Sequence, residues 1–447
     1  MQLRKDLTRP LNIFVIGLDE HNRALLEGMR NAHQYRFHGV LTYPEIYGPK
    51  VSLDDLLARA RRIIDAFDGP TDAIIGFWDF PVSAMVPLLR QRYGLFSASL
   101  AEVLQCEHKY WSRLIQQTVI SEVPRFALVD PHAEPVPPAG LRFPMWIKPV
   151  KSFASMLAIR AEDEAGYVAA VRKIAAGIGR LGAPFEALMK HVALPPEIAA
   201  AGGQVCIAEE ALTGQQVTVE GFRYRGRVVI YGIVDSLHYP GTSSFLRYQY
   251  PSSLPPAVQA RLVDLSTRVI EAIGLERTTF NIEYFWDAAS DTMGLLEINT
   301  RHSQSHADLF AHVDGISNHE ILLNLALDSE PELPRGHGRY PLAATCFVRR
   351  FSDGVVRRHP GAQDIAGIER QVPGTHIELH ARSGERLSAR THGQDNYSYL
   401  LATVFVGAAS EAELTEKFDQ VASALPYEID DAPELAAPIC GDRQETR

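Results

Sequence analysis

Four side chains in residues 279–301 (TFNIEYFWDAASDTMGLLEINTR) have the types and spacing for metal and phosphate chemistry: Glu283, Glu297, Asn299 and Arg301. Two apolar alternating runs flank a polar turn at 287–292, which reads as a β-hairpin. A turn centred near Ser290 sets Glu283 and Glu297 opposite each other, and the two-residue period puts Asn299 on the face of Glu297. Opposed carboxylates destabilise a ladder unless a cation lies between them, and hard oxygen ligands favour Mg with nucleotide phosphates completing its shell. The alternative is a register in which one glutamate faces solvent, because a one-residue slip turns a side chain to the other face. Arg301 follows on the same side, where its planar fork could hold a carboxylate or phosphate; a surface arginine is the other reading.

The elements that would carry this hairpin alternate along the chain. Residues 11–17 (LNIFVIG) read as a strand and 18–32 as a helix; a strand near 38–41, a helix near 53–67, a strand at 72–77 and a helix near 82–93 follow. Alternation of this kind predicts a parallel, doubly wound α/β domain over residues 10–105. The single Gly17 does not make a dinucleotide-binding GxGxxG. Proline-rich residues 131–144 mark a connection, 194–203 (LPPEIAAAGG) a loop or insertion, and 252–256 a further break. From residue 341 the pattern turns strand-rich, with candidates at 344–348, 368–372, 376–379 and 397–406 before a helix at 411–425. This predicts a small α+β subdomain over 340–430, followed by a polar tail at 431–447 expected to be mobile.

The 447 residues, 46% hydrophobic and 22% charged, suffice for two or three globular domains. Cys106, Cys206, Cys346 and Cys440 form no CxxC pair, which suits thiols in a reducing cytosol. The first ten residues lack the apolar core of a signal peptide, and no apolar run reaches transmembrane length, so a cytoplasmic protein without membrane partners is expected. A net charge of -10 argues against nucleic-acid partners, whose phosphates need clustered Lys and Arg, and favours small-molecule substrates. A homodimer is the base-rate assembly.

Residues 297–301 (EINTR) resemble the E-[IV]-N-P-R strand of the ATP-grasp superfamily, differing only at the proline, and other landmarks of that family follow in order. Residues 97–113 resemble its helix-opening segment, with Lys109 matching the lysine that contacts ATP phosphates and His108 inserted after the acidic Glu107. The strand at 143–150 (FPMWIKPV) resembles the one whose lysine, here Lys148, reaches the nucleotide. The phosphate-wrapping loop that follows, with Lys151, Ser152 and Ser155, lacks the family's glycines. Residues 205–220 resemble the inter-lobe hinge: Glu209 or Glu210 fits the adenine-side acid, Ala211 and Leu212 the backbone contacts, and Gln216 the ribose position. Glu220 closes the segment as a candidate catalytic group or a strand-end glutamate.

The resemblance implies a pre-ATP-grasp domain at 10–105, an ATP-grasp domain at 106–335 and a C-terminal subdomain at 340–430. It also implies ATP and Mg as cofactors, with Glu283, Glu297 and Asn299 on the metal. A substrate carboxylate would be activated as an acyl phosphate, with release of ADP, and coupled to an amine. Arg301 would steady the intermediate's charge. His238 and Arg247, in an aromatic-rich loop at 235–250, and His302, in the HSQSH run after Arg301, are candidates for binding the acid and amine substrates. A carboxylase-like step with a thiol or bicarbonate-derived acceptor is the alternative, and a non-catalytic nucleotide-binding module is the third.

Overall fold

The computed structural model describes residues 9–48, 52–152, 156–390 and 398–431, so Ser155 and the tail beyond 431 lie outside the described residues. The described residues form two compact units, one within 1–234, 253–307 and 316–334, the other within 235–252, 308–315 and 335–447. Among the described residues no helix is long and apolar enough to cross a membrane.

The first unit opens with a parallel sheet in the order β2-β1-β3, formed by β1 (Leu11–Ile16), β2 (Tyr35–Val40) and β3 (Ala73–Ile75). Ile13, Phe14, Val15 and Ile16 are all buried, the continuous apolar run that a sheet covered on both faces requires. Phe14 and Ile16 face helices α3 (Leu53–Asp65) and α4 (Val82–Arg92), while Ile13 and Val15 pack with Leu26 of α1 (Glu20–Glu27). The helix expected at 18–32 is shorter: Asp19 caps α1 by accepting from Asn22 N at 2.7 Å, and the helix closes at Gly28. A one-turn α2 (Tyr43–Ile46) follows β2.

His108, in an extended conformation, divides the next helical segment into α5 (Leu100–Glu107) and α6 (Lys109–Gln116), so that Lys109 opens α6. An antiparallel sheet follows, in the order β4-β7-β5-β6, from β4 (Phe126–Val129), β5 (Met145–Pro149), β6 (Ile159–Ala161) and β7 (Cys206–Glu210). Its apolar face is covered by α7 (Glu164–Gly177), and α8 (Gly179–Met189) comes next. The loop expected at 194–203 contains a short helix, α9 (Pro196–Ala201), with proline at its first position and Gly202 at its end.

Then come β8 (Gln215–Tyr224), β9 (Arg227–His238), β10 (Phe245–Tyr250), α10 (Pro256–Ile273) and the hairpin strands β11 (Thr278–Asp287) and β12 (Thr292–Asn299). In the first unit β11 lies between β12 and β8, and its apolar face, with Phe280, Ile282 and Tyr284, packs on Leu262, Leu265 and Val269 of α10. Helices α11 (Ala307–Val313) and α12 (Asn318–Ala326) follow, with Leu322 and Leu323 of α12 against the parallel sheet.

In the second unit the end of β9 pairs with β10 over 235–238, so the loop expected at 235–250 is a hairpin. Strand β10 pairs with β13 (Leu342–Arg350). Beyond them β14 (Gly354–Arg358) precedes α13 (Ala362–Gln371) and β15 (Thr375–Leu379), and β16 (Tyr399–Ala408) lies between β13 and β15. Helix α14 (Glu411–Ala424) shares the core with α13, and β17 (Glu428–Asp431) pairs with β14. The strand expected at 368–372 is the end of α13. Ile365, Ile368 and Val372 recur at helical spacing onto the core, and Asp364 accepts from Gly361 N at 2.9 Å to start the helix.

Candidate active site

Glu283 and Glu297 are partners across β11 and β12, and Asn299 is opposite Asn281. The pairing depends on a bulge: Asp287 opposes Thr292 and Tyr284 opposes Leu295, but Glu283 opposes Glu297, so Leu296 is the extra residue. Arg113 Nη2 donates to Leu296 O at 2.6 Å and so ties α6 to that bulge. Burial, reinforced by the charge of Glu297, pushes the Glu283 carboxyl up to about 8, although Gln216 Nε2 donates to it at 2.6 Å. Asn299 gives Nδ2 to Asn281 Oδ1 at 3.0 Å, which leaves its amide oxygen as the atom it could offer a hard cation.

Among the described residues no group of three or more His, Cys, Asp or Glu could hold a metal by itself. Two opposed carboxylates, one raised by burial and by the repulsion between them, with an amide oxygen alongside, match the partial shell that Mg takes when phosphates supply the rest. The residues present fit that ion.

Lys109 links this acidic pair to a basic patch. Its Nζ lies 3.5 Å from Glu297 Oε2 and donates to Ser152 O at 2.9 Å. Burial lowers its pKa, Glu297 opposes that, and Lys151 and Lys148 lower it further, so three ammonium groups act on one another here. Lys148 pairs with Glu209 at 2.5 Å, and Arg113 Nε reaches the other oxygen of Glu209 at 2.5 Å. Burial alone would raise Glu209; the two cations overturn it and hold the acid at about 2. Lys151 pairs with Glu107 at 2.7 Å, with its amine over the rings of Phe80 and Phe185. A triphosphate beside Lys109 and Lys148 would meet fixed positive charge on one side and the Glu283–Glu297 pair on the other.

Arg301 is held by Asp79, at the carboxyl end of β3, through Nε to Oδ1 at 3.1 Å and Nη2 to Oδ2 at 2.8 Å. Its Nη1 donates to His302 O at 3.2 Å. Burial would lower its pKa, but Asp79 outweighs this and raises it. Tyr47 OH donates to Asp79 O at 2.9 Å.

The remaining expected residues are placed differently. Glu210 is at the surface, 3.1 Å from Arg142 and 3.9 Å from Arg125. Ala211 N donates to Pro144 O, and the Leu212 side chain packs so closely on Gly294 that a Cβ there would come within 2.2 Å. Glu220, expected to be catalytic, is fully buried and accepts from Tyr231 OH, Ser303 N and His306 Nδ1 at 2.7, 2.9 and 2.9 Å. With its oxygens so engaged it anchors the 303–306 segment rather than facing a substrate. His302, expected to bind substrate, is also fully buried, hydrogen-bonded to Thr279 Oγ1 and His319, and offers no surface to a ligand. In the second unit His238 stacks on Phe245, and Arg247 holds Glu411 and Thr415 of α14.

Asp79 and the clamp role of Arg113 were missed in the sequence. Asp79 had a usable signal, since it lies four residues past the end of the parallel strand β3 and open α/β sheets place ligands beyond those ends. Arg113 had none, because its partners Glu209 and Leu296 are 96 and 183 residues away.

Residues 141–307, which carry Lys148, Glu209 and the bulged acidic hairpin, match the model of the ATP-grasp domain. The chain carries an ATP-grasp domain. No curated protein matches by sequence. Solved ATP-grasp structures do match in fold. The L-amino acid ligase from Bacillus licheniformis aligns over 96% of this chain and 100% of its own, with TM-score 0.69 and 15% identity. Biotin carboxylase from Campylobacter jejuni aligns over 93% and 92%, with TM-score 0.63 and 14% identity. Carboxyaminoimidazole ribonucleotide synthase from Aspergillus clavatus, solved with ATP, aligns over 93% and 99%, with TM-score 0.63 and 13% identity. At these identities the likeness is one of ATP-grasp fold.

Proposed function

We propose that the protein is an ADP-forming ligase that activates a carboxylate with ATP as an acyl phosphate and couples it to an amine. The observation that carries this reading is the convergence of Lys109, the Glu283–Glu297 pair and Asn299 on one patch, with Lys148 joined to it through charge. Lys109 and Lys148 bind the phosphates, and Glu283, Glu297 and Asn299 would hold Mg. The ion supplies charge neutralisation for phosphoryl transfer when bound. Arg301 orients the substrate carboxylate through the guanidinium edge that Asp79 does not use, so that the reaction is chiefly one of positioning. The amine then displaces phosphate. The structural likeness to an L-amino acid ligase supports an amine acceptor.

The test is ADP and phosphate release from Mg-ATP across single and paired carboxylic acids and amines, with mass detection of products. Release that needs both an acid and an amine, with an amide mass, is the expected result. Release with acid alone points to another acceptor, and silence across the panel despite ATP binding overturns the ligase reading.

A further inference from the structure

The loops after the three parallel strands meet beside Arg301. Gly17, just after β1, accepts from Trp78 Nε1 at 2.9 Å, and its φ of +75° with no Cβ lets the indole lie against it. Tyr43 and Tyr47, after β2, lie with ring centroids 4.5 Å apart, and Tyr43 meets Trp78 edge-on at 4.9 Å. Tyr47 fixes the main chain of Asp79. Tyr43, Tyr47, Trp78 and Asp79 all remain partly exposed, so aromatic faces and a carboxylate border open space at the ligand-binding end of the sheet.

The charge balance here is informative. Arg301 alone would suit any carboxylate. Paired with Asp79 it forms a nearly neutral unit, a poor attractor for a lone anion, yet with three of its five N–H groups given to Asp79 and His302 O the guanidinium keeps one on Nη1 and one on Nη2 for a second carboxylate. Asp79 is the more exposed partner, at 27% against 16% for the arginine side chain. A ligand with both charges close together satisfies the pair: its carboxylate takes the free edge of Arg301 and its ammonium takes Asp79, with π faces beside the cation.

We propose that Asp79, bordered by Tyr43, Tyr47 and Trp78, binds the ammonium group of a zwitterionic acid whose carboxylate Arg301 holds. Asp79 is then a specificity-determining residue, and the acid to be activated carries an amine next to its carboxyl group. This rests on the ligase reading for the fate of the acid, but not for its binding.

The experiment uses the full chain as wild type, Asp79→Asn and Asp79→Glu. Each is dialysed to equilibrium with Mg-ATP against the protein amino acids and their des-amino counterparts, with mass detection of retained compounds and ADP measured in the same samples. A charged hydrogen bond predicts a preference of about ten- to hundredfold for the amino form. Asp79→Asn abolishes that preference and Asp79→Glu restores much of it. If Asp79 only positioned Arg301, Asn would weaken both forms equally, and that result overturns the proposal. So does retention of des-amino acids within twofold of the amino acids, or retention of neither. Amino-acid binding with the preference but without ADP release, also after the amine panel is added, refutes the ligase reading and leaves the ammonium site standing. ADP release driven equally by des-amino acids does the reverse.

Discussion

Glu209 on β7 and Glu283 on β11 are acids of the same unit, and their surroundings drive them in opposite directions. Glu209 is 2% exposed and meets two cations of the chain itself, Lys148 and Arg113, which hold it at about 2. Glu283 is opposite another carboxylate, with Gln216 its neutral donor, and is raised to about 8. The first acid has its counter-charges built into the fold; the second is left for a cation from outside. A structural acid and a ligand-seeking acid are therefore told apart by what surrounds them, since burial costs both of them.

Breaking the ligand-seeking side has the largest expected effect. Glu297→Gln removes one charge from the cation site, and ADP release should fall roughly a thousandfold, the several kcal/mol that a catalytic metal supplies. The urea midpoint should stay near wild type, because Glu297 is 32% exposed and Lys109 keeps its hydrogen bond to Ser152 O. ADP release within tenfold of wild type would sink the metal assignment.

Breaking the built-in side should act on stability. Glu209→Gln leaves Lys148 and Arg113 buried without their anion, and removing one member of such a cluster costs about 3–5 kcal/mol. Urea unfolding measures it, and a loss below about 1 kcal/mol would show that water or rearrangement compensates the cations.

The contrast also shows how far the sequence could be read. Strands β1, β3, β5 and the β11–β12 hairpin were legible because their apolar patterning is local. The pairing of Glu283 with Glu297 was reached by assuming a turn centred on Ser290. The structure reaches it with a one-residue bulge at Leu296, which no local pattern encodes. Glu209 entered the sequence reading only as an alternative to Glu210, through the family resemblance, and its clamp by Arg113 on α6 was not legible, because the partners are distant in sequence. His302 followed the arginine in a polar run and read as a pocket residue. Its burial is decided by Thr279 and by His319 of α12, which sequence proximity does not show. Residues 368–372 were too short a window to separate two periodicities, and Ile365 decides for helix.

The opposed acids also predict a pH dependence with a defined sign. Glu283 is raised from 4.5 to about 8, so between these values the folded protein keeps a proton that the unfolded chain has released. Its contribution to stability is full below pH 4.5 and is lost as pH rises towards 8. Mg competes with that proton, so saturating Mg should stabilise the protein by about 2 kcal/mol at pH 8 and hardly at all at pH 5. Thermal melts with and without Mg read the difference, and Glu283→Gln should flatten it. Equal Mg stabilisation at both pH values would contradict the opposed-acid description.

The smallest expected effect sharpens the comparison from the other side. Glu210 adjoins Glu209 and also meets two arginines, Arg142 at 3.1 Å and Arg125 at 3.9 Å. Those side chains are 78% and 63% exposed, so water screens the pairs and replaces them when they break. Glu210→Gln should leave the urea midpoint within error of wild type, next to a residue whose same substitution is strongly destabilising. A large loss at Glu210 would mean that the number of cations near an acid, not their burial, separates the clamped acid from the rest. The account of Glu209 and Glu283 as two kinds of site would then need a different physical basis.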